Sequence, residues 1–199
     1  AKRKQYVARD CVEDLNMVEA LREPKRLPNS WSVAEMEAIL RSCGLCRGRI
    51  AGVPASGWWS SFVLVMYDTA LRLSAASAMR FEWINFEEKL LRVPAEFMKN
   101  NVEQIYSLSD QTIAAILATL PPKRSAVFPW PFLHHRALYG RYRVILRRAR
   151  LPFTNKDMFH KLRRTSATQI AAKKGREAAF IHLGHYDLSC LTRYVDPRY

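Results

Sequence analysis

Two polar side chains stand three residues apart in the segment His160-Lys161-Leu162-Arg163-Arg164-Thr165. The pattern predicts a helix over residues 157–174, ended by Gly175, and residues three apart share one face of a helix. His160 and Arg163 can therefore grip one anion together. Arg164 is a rival because it lies four residues from His160 and faces the same side.

Further candidates lie on either side of this segment. Leu183-Gly184-His185 places a histidine directly after a helix-ending glycine, and Tyr194 follows nine residues later. Upstream, Arg72 lies at the expected end of an apolar helix. A charged residue is unusual in such a position, which makes Arg72 a candidate functional residue. Each also has an ordinary interpretation: an arginine can cap a helix, a histidine can bond to backbone, and a helical tyrosine usually packs.

These residues must be positioned by helices and strands. The sequence pattern predicts a mainly α fold with one small antiparallel β-sheet, in the α+β class. Ser32 and Glu35 form a capping box before a first core helix. A glycine-containing loop over residues 44–57 leads to a strongly apolar helix from Trp58 to about Leu73. Two strands, residues 90–93 and 104–108, are expected to form a hairpin around the turn Lys99-Asn100-Asn101.

The rest of the chain is predicted to be helical. Ser109-Asp110 caps a helix that Pro121-Pro122 stops. Further helices are expected over residues 133–150 and 157–174, followed by a short helix ended by Gly184 and a last one carrying Tyr194. Pro24 and Pro28 mark a linker-like break, so the compact domain is expected to begin there.

Charge favours a polyanionic partner. The 199 residues include 32 Lys and Arg against 18 Asp and Glu, a net charge of +14. Residues 133–176 hold thirteen basic residues and one acid, so an unrelieved basic surface favours a nucleic-acid backbone. A membrane surface ranks well behind, because no segment has the length of a membrane-spanning helix. The DNA-binding candidates are Arg141, Arg147, Arg148, Lys156, Lys161 and Arg164.

The four cysteines are too few and too scattered for a disulfide framework, which indicates a reducing, cytoplasmic location. Cys43-Gly-Leu-Cys46 has the spacing of a zinc knuckle or a redox pair. No second pair completes a tetrahedral site, so no metal is predicted.

Five features occur in order across residues 27–199: an arginine in an "LR-S" box, a hairpin lysine, an HxxR helix, an "LGH" turn and a late tyrosine. With these features the sequence resembles the tyrosine recombinase, or phage integrase, family. The combination is much more specific than any one motif. The resemblance selects Arg163 over Arg164, and its spacing selects Tyr194 over Tyr186 and Tyr199.

The resemblance implies a catalytic domain that cleaves and rejoins DNA through a 3′-phosphotyrosyl intermediate, without ATP, metal or another cofactor. Tyr194 would attack phosphorus with His160 as its base, while the lysine would protonate the leaving 5′-oxygen. Two arginines would hold the non-bridging oxygens, and a second histidine would hydrogen-bond the phosphate. The residues carried over are Arg72, Lys99, His160, Arg163, His185 and Tyr194. Lys99 is also consistent with an ordinary exposed turn lysine.

The sequence departs from the family pattern in two respects. The acidic residue expected just after the serine-box arginine is missing, since Ala75-Ala76 follow Ser74 and the nearest upstream acid is Asp68. The helical core-binding domain of such enzymes is expected to lie outside this sequence, so residues 1–23 are expected to be a helical lead-in or linker from it and residues 24–199 the catalytic domain. We expect a monomer without DNA and a tetramer of the full-length protein on synapsed double-stranded DNA sites, in a prokaryotic or mobile-element setting.

Two other functions stay open at this stage. A type IB topoisomerase-like enzyme would use the same chemistry to relax DNA without joining two sites. A non-catalytic nucleic-acid-binding domain would keep the fold and lose the reaction, and Ala75-Ala76 are the best support for it.

Overall fold

The computed structural model describes residues 29–119, 125–131, 136–154, 158–184 and 194–195. Its helices are α1 (Val33–Gly44), α2 (Ala55–Thr69), α3 (Leu73–Ser77), α4 (Asp110–Leu117), α5 (Arg136–Arg148), α6 (Met158–Lys174) and α7 (Arg176–Leu183). Its strands are β1 (Arg49–Ile50), β2 (Val53–Pro54), β3 (Ile84–Asn85), β4 (Leu90–Val93) and β5 (Gln104–Ser107), with 3₁₀ turns at Phe81–Trp83 and Ala95–Phe97. The predicted mainly α fold with a small antiparallel sheet is confirmed.

The two helix starts predicted from capping residues are confirmed. At α1, the Ser32 backbone N–H donates to the Glu35 carboxylate at 2.7 Å, and Ser32 Oγ accepts from the Glu35 N–H at 3.3 Å. At α4, Ser109 Oγ accepts from the Thr112 N–H at 3.3 Å. Both caps satisfy N–H groups that have no partner inside the helix.

Helix α2 is the centre of the fold, with α1, α4 and α6 packed around it. Three of its aromatic side chains, Trp58, Trp59 and Phe62, are almost fully buried: Trp58 stacks on Phe62 with centroids 4.9 Å apart, and Trp59 stacks on Tyr142 of α5 at 6.0 Å. Ten of the fifteen residues of this helix are buried, so it lies largely inside the core. Therefore the element that leads to Arg72 is held rigidly.

The expected position of Arg72 at the end of the apolar helix is wrong. Helix α2 begins at Ala55 and ends at Thr69, because Ala70 adopts the left-handed conformation with φ of 49°. Arg72 follows in extended backbone as the N-cap of α3. An alanine in this conformation gives no sequence signal comparable to a glycine.

The predicted hairpin is confirmed and is part of a larger sheet. Strands β4 and β5 pair antiparallel, with Leu91 opposite Tyr106 and Val93 opposite Gln104. The two-residue strand β3 adds to β4, so the sheet order is β3-β4-β5. The loop expected over residues 44–57 contains a second small hairpin, in which β1 pairs with β2.

The predicted glycine stops are confirmed at the ends of α6 and α7. Gly175 and Gly184 both have positive φ, at 88° and 63°. Helix α6 packs between α2 and α7, which places its His160-to-Thr165 segment at the centre of the site. In the described part of the chain no helix is long and apolar enough to cross a membrane. Residues 1–28, Pro121-Pro122 and most of the expected last helix lie outside the described residues.

Candidate active site

Arg163 is the most buried charged side chain of the candidate set, with 2% of its surface exposed. One terminal nitrogen donates to the Ala70 carbonyl at the end of α2, and the other donates to the Leu183 carbonyl of α7 at 2.8 Å. Burial lowers the pKa of Arg163, nearby Arg72 lowers it further, and Tyr194 and Tyr106 oppose both effects. The guanidinium is therefore fixed in place where α2, α6 and α7 meet.

Tyr194 lies against this arginine and against His160. The guanidinium carbon of Arg163 is 5.3 Å from the centroid of the Tyr194 ring, and the His160 ring centroid is 6.4 Å away. The tyrosine packs beside a small apolar cluster made by Ala70, Ala167, Ala179 and Leu183. Thr168 Oγ1 donates to its backbone carbonyl at 3.4 Å. Helix α6 thus contributes His160, Arg163 and Thr168 to one contact region.

His160 is accessible to solvent at one side, while surrounding protein atoms still desolvate much of its ring. This desolvation lowers the pKa of His160, and the positive charges of Arg163, Arg164 and Arg72 lower it further. The imidazole is therefore neutral at pH 7 and able to accept a proton.

Arg72 and Lys99 meet Arg163 around one open cavity of about 250 Å³. The same cavity is lined by Ser74, Ala75, Glu96, Phe97 and Met98. A neighbouring cavity of about 190 Å³ shares Arg72, Ser74 and Arg163 and adds His160. The structure thus brings together five of the six predicted residues, and the sixth, His185, lies outside the described residues.

The residues that follow Arg72, where an acid was expected, are Leu73, Ser74, Ala75 and Ala76, and of these Ser74 and Ala75 line the cavity. Ala75 is 2% exposed. Asp68 does not replace the expected acid, because its Oδ2 accepts from the Ser109 N–H at 2.8 Å, from Ser109 Oγ at 2.8 Å and from Thr112 Oγ1 at 2.6 Å. That carboxylate instead fastens the start of α4 to α2.

Sequence reasoning missed two polar groups behind Arg163. His182 Nε2 lies 3.0 Å from Ser166 Oγ, and its ring meets the Tyr106 ring edge-on at 5.7 Å. Burial lowers the pKa of His182 to about 4, with Arg163 and then Lys174 as the charges that contribute. Burial also raises the pKa of Tyr106 to about 12, although Arg163 and Arg72 oppose this.

Sequence alone does not indicate either group, because Ile105 is at least as apolar as Tyr106 and only the structure shows which face of each element is buried. His182 stands three residues after buried Ala179 on α7, and Tyr106 alternates with exposed Ile105 on β5. These spacings place both side chains on inward faces.

The DNA-binding candidates occupy different environments. Arg141, Arg147 and Arg148 are exposed on α5, and Arg148 also donates to the Ser42 carbonyl of α1 at 3.3 Å. Lys161 is only 7% exposed and its ammonium lies 3.3 Å from the centroid of the Trp31 ring. Arg164 is half-buried, and Lys156 lies outside the described residues. Lys161 is therefore packed inside the domain, unlike the exposed α5 arginines.

Among the described residues, no group of three or more His, Cys, Asp or Glu side chains is placed to hold a metal. Cys43 and Cys46 are free thiols, and burial is the main cause that raises the pKa of each.

Solved structures with the same fold include several DNA recombinases. XerA recombinase is 15% identical, with a TM-score of 0.69 over 86% of this chain and 61% of that one. The catalytic domain of bacteriophage HP1 integrase is 19% identical, with a TM-score of 0.62 over 83% and 85% of the two chains. XerH recombinase, solved with its palindromic difH substrate after cleavage, is 18% identical, with a TM-score of 0.67 over 87% and 51%. This chain thus spans about three fifths of XerA.

No curated protein matches the sequence closely enough to be counted as a relative. The model of the phage integrase family matches residues 33–199, which is most of the chain and includes every described element of the site. The ordered motifs, the fold and this match agree, and the chain belongs to the phage integrase family.

Proposed function

We propose that this chain is the catalytic domain of a site-specific recombinase that cleaves and rejoins double-stranded DNA through a 3′-phosphotyrosyl intermediate. The observation that carries the proposal is the convergence of Tyr194, His160 and Arg163 beside the cavity lined by Arg72 and Lys99. A nucleophile, a neutral base and three cations in one place match the needs of phosphoryl transfer.

The reaction exchanges one phosphodiester for another. The Tyr194 oxygen forms a bond to phosphorus as the bond from phosphorus to the 5′-oxygen breaks, which leaves a free 5′-hydroxyl. Arg72 and Arg163 hold the non-bridging oxygens, where negative charge grows in the transition state. The phosphotyrosyl bond keeps the energy of the broken ester, so a 5′-hydroxyl can reverse the reaction without ATP.

Two proton transfers accompany these bond changes. Tyr194 must lose its proton, and a phenol with an ordinary pKa near 10 needs a base at neutral pH. His160 suits this role because desolvation, and then the surrounding arginines, lower its pKa and keep it neutral. Lys99 lines the same cavity as Arg72 and Arg163, and it delivers the second proton to the departing 5′-oxygen. His185 directly follows the Gly184 turn and supplies a further hydrogen bond to the phosphate.

Charge on the exterior favours a DNA partner. Arg141, Arg147 and Arg148 share the exposed part of α5, and they suit contacts with the phosphate backbone. Such contacts make binding strongly salt-dependent. We propose a monomer in the absence of DNA and a tetramer when the full-length protein joins two sites.

Covalent trapping tests the reaction. The 199-residue chain is incubated at low salt with a pool of duplexes whose central sequence is randomised and nicked, and adducts stable to SDS are recovered and sequenced. We expect wild type to yield an adduct on a shared sequence, and Tyr194→Phe to yield none. Failure of wild type to form any adduct, or an adduct with Tyr194→Phe, contradicts the proposal.

A binding domain without catalysis is the second candidate, and the lack of an acidic residue near Arg72, where Ala75 and Ala76 follow Ser74, is the observation that favours it. Such a domain would bind the duplex pool with a steep salt dependence and form no adduct. Wild-type relaxation of any supercoiled plasmid, without exchange between two selected sites, would instead indicate a type IB topoisomerase-like activity.

A further inference from the structure

The turn that carries Lys99 is attached to the end of α7 by its neighbour Asn100. Asn100 Nδ2 donates to the Gly184 carbonyl at 3.2 Å. The other end of the same amide stays within the turn, where Oδ1 accepts from the Val102 N–H at 3.4 Å. One side chain therefore joins the β4–β5 turn to the backbone that leads directly into His185.

A second contact from the same hairpin supports this attachment. The Gln104 side-chain amide lies directly against the Cα of Gly184, so that a methyl group there would collide with it. Gln104 is itself held, because the Tyr106 hydroxyl donates to its Oε1 at 2.5 Å. Gly184 has φ of 63°, a left-handed conformation that favours glycine, and its lack of a side chain leaves room for Gln104 between β5 and the end of α7.

The last carbonyls of α7 are thus shared between two candidate catalytic elements. The Leu183 carbonyl accepts from Arg163, and the next carbonyl, that of Gly184, accepts from Asn100. Helix ends leave such carbonyls without partners inside the helix, so both bonds satisfy groups that would otherwise need water. The turn that carries Lys99 and the guanidinium of Arg163 are therefore both hydrogen-bonded to the end of α7, at the adjacent carbonyls of Gly184 and Leu183.

We propose that Asn100 is a positioning residue that sets the place of Lys99 relative to the Arg163 and Gly184 backbone, and so governs protonation of the leaving 5′-oxygen. This inference rests on the proposed function and deepens it. Lys99 is exposed on the turn, so packing against the cavity wall does not by itself determine where its ammonium group lies. The side chain of Asn100 connects the turn that carries Lys99 to the Gly184 backbone at the end of α7.

The consequence is a defect in one chemical step. General acid catalysis depends on placing the proton donor within hydrogen-bond reach of the leaving atom. Loss of the Asn100 bond lets the turn move away from α7, and misplacement by about 1 Å can cost about a hundredfold in rate. The bonds of Asn100 are to Gly184 and Val102 and not to Tyr194 or the arginines, so we expect attack by Tyr194 and charge stabilisation by the arginines to be retained without them.

The test uses a leaving group that needs no proton. The duplex selected by covalent trapping is made with sulfur in place of the bridging 5′-oxygen at the cleaved bond, because a thiolate leaves without general acid help. We expect Asn100→Ala to slow cleavage of the oxygen duplex roughly tenfold to a hundredfold, and to cleave the sulfur duplex within about threefold of wild type. Lys99→Ala is the reference variant. It should slow cleavage of the oxygen duplex more than Asn100→Ala does, and the sulfur duplex should restore its cleavage rate as well.

Two controls separate positioning from folding. Asn101→Gly alters the adjacent turn residue, whose φ of 50° suits glycine, and it should leave cleavage of both duplexes near wild type. Urea unfolding of Asn100→Ala establishes that the domain is folded. A defect in Asn100→Ala that persists on the sulfur duplex, or no defect on the oxygen duplex, overturns the inference. Absence of wild-type adducts on every duplex would instead overturn the proposed function beneath it.

Discussion

His182 should make the stability of this domain fall at mildly acidic pH, and the size of the effect follows from its surroundings. Burial lowers the pKa of His182 to about 4, with Arg163 and Lys174 adding to the shift, whereas an unfolded histidine titrates near 6.5. Between pH 6.5 and pH 4, His182 is protonated in the unfolded chain and neutral in the folded chain. The stabilising contribution is therefore complete above pH 6.5 and is lost as pH falls through 4.

The linkage gives the expected magnitude. Between pH 8 and pH 4.5 the difference in protonation should reduce the free energy of unfolding by about 2.5 kcal/mol. His182→Gln is the matched variant, because its amide can still bond Ser166 Oγ and it does not titrate. His160 also has a lowered pKa, but it contributes equally in both proteins and cancels in the comparison.

Urea unfolding followed by circular dichroism at the two pH values measures the effect. We expect wild type to lose about 2.5 kcal/mol more than His182→Gln on acidification. Equal losses in the two proteins would refute the assignment of His182 as a buried neutral histidine.

Two further predictions follow from the described contacts. Asp68→Ala removes the carboxylate that accepts three hydrogen bonds from Ser109 and Thr112, and should lower the free energy of unfolding by about 2 kcal/mol in urea titrations; an unchanged unfolding midpoint would contradict this. Lys161→Met should leave the salt dependence of DNA binding unchanged because Lys161 is packed on Trp31, whereas Arg147→Ala should reduce the slope of log affinity against log salt by about 1. Fluorescence anisotropy over a salt series measures both slopes, and a reduced slope for Lys161→Met would show that the lysine reaches DNA.

Local signals were sufficient for several elements. The capping box of Ser32 and Glu35 and the glycine stops at Gly175 and Gly184 could be read from sequence because each depends on neighbouring residues only. The stop at Ala70 could not be read, because an alanine in left-handed backbone is held there by its surroundings. That one residue moved Arg72 from a helix end to the N-cap of α3.

In the candidate site too, features that depend on neighbouring residues could be predicted from the sequence, and contacts between distant residues could not. Ordered motifs named Arg72, Lys99, His160, Arg163 and Tyr194, and the fold brings them together. Motif spacing did not predict the burial of Lys161. This lysine lies on a basic helix and packs on Trp31, which is distant in the sequence. The Asn100 contact with Gly184 also joins positions 84 residues apart, which no local pattern can encode.

The two backbone bonds of Arg163 have an electrostatic consequence for the whole cation cluster. The carbonyls of Ala70 and Leu183 stand at the C-terminal ends of α2 and α7, where the aligned peptide dipoles place about half a negative charge each. Main-chain atoms thus supply much of the counter-charge that permits a guanidinium to lie 2% exposed beside Arg72. Because this counter-charge is built from peptide groups, it persists through any substitution at positions 70 and 183 that keeps the two helix ends in place.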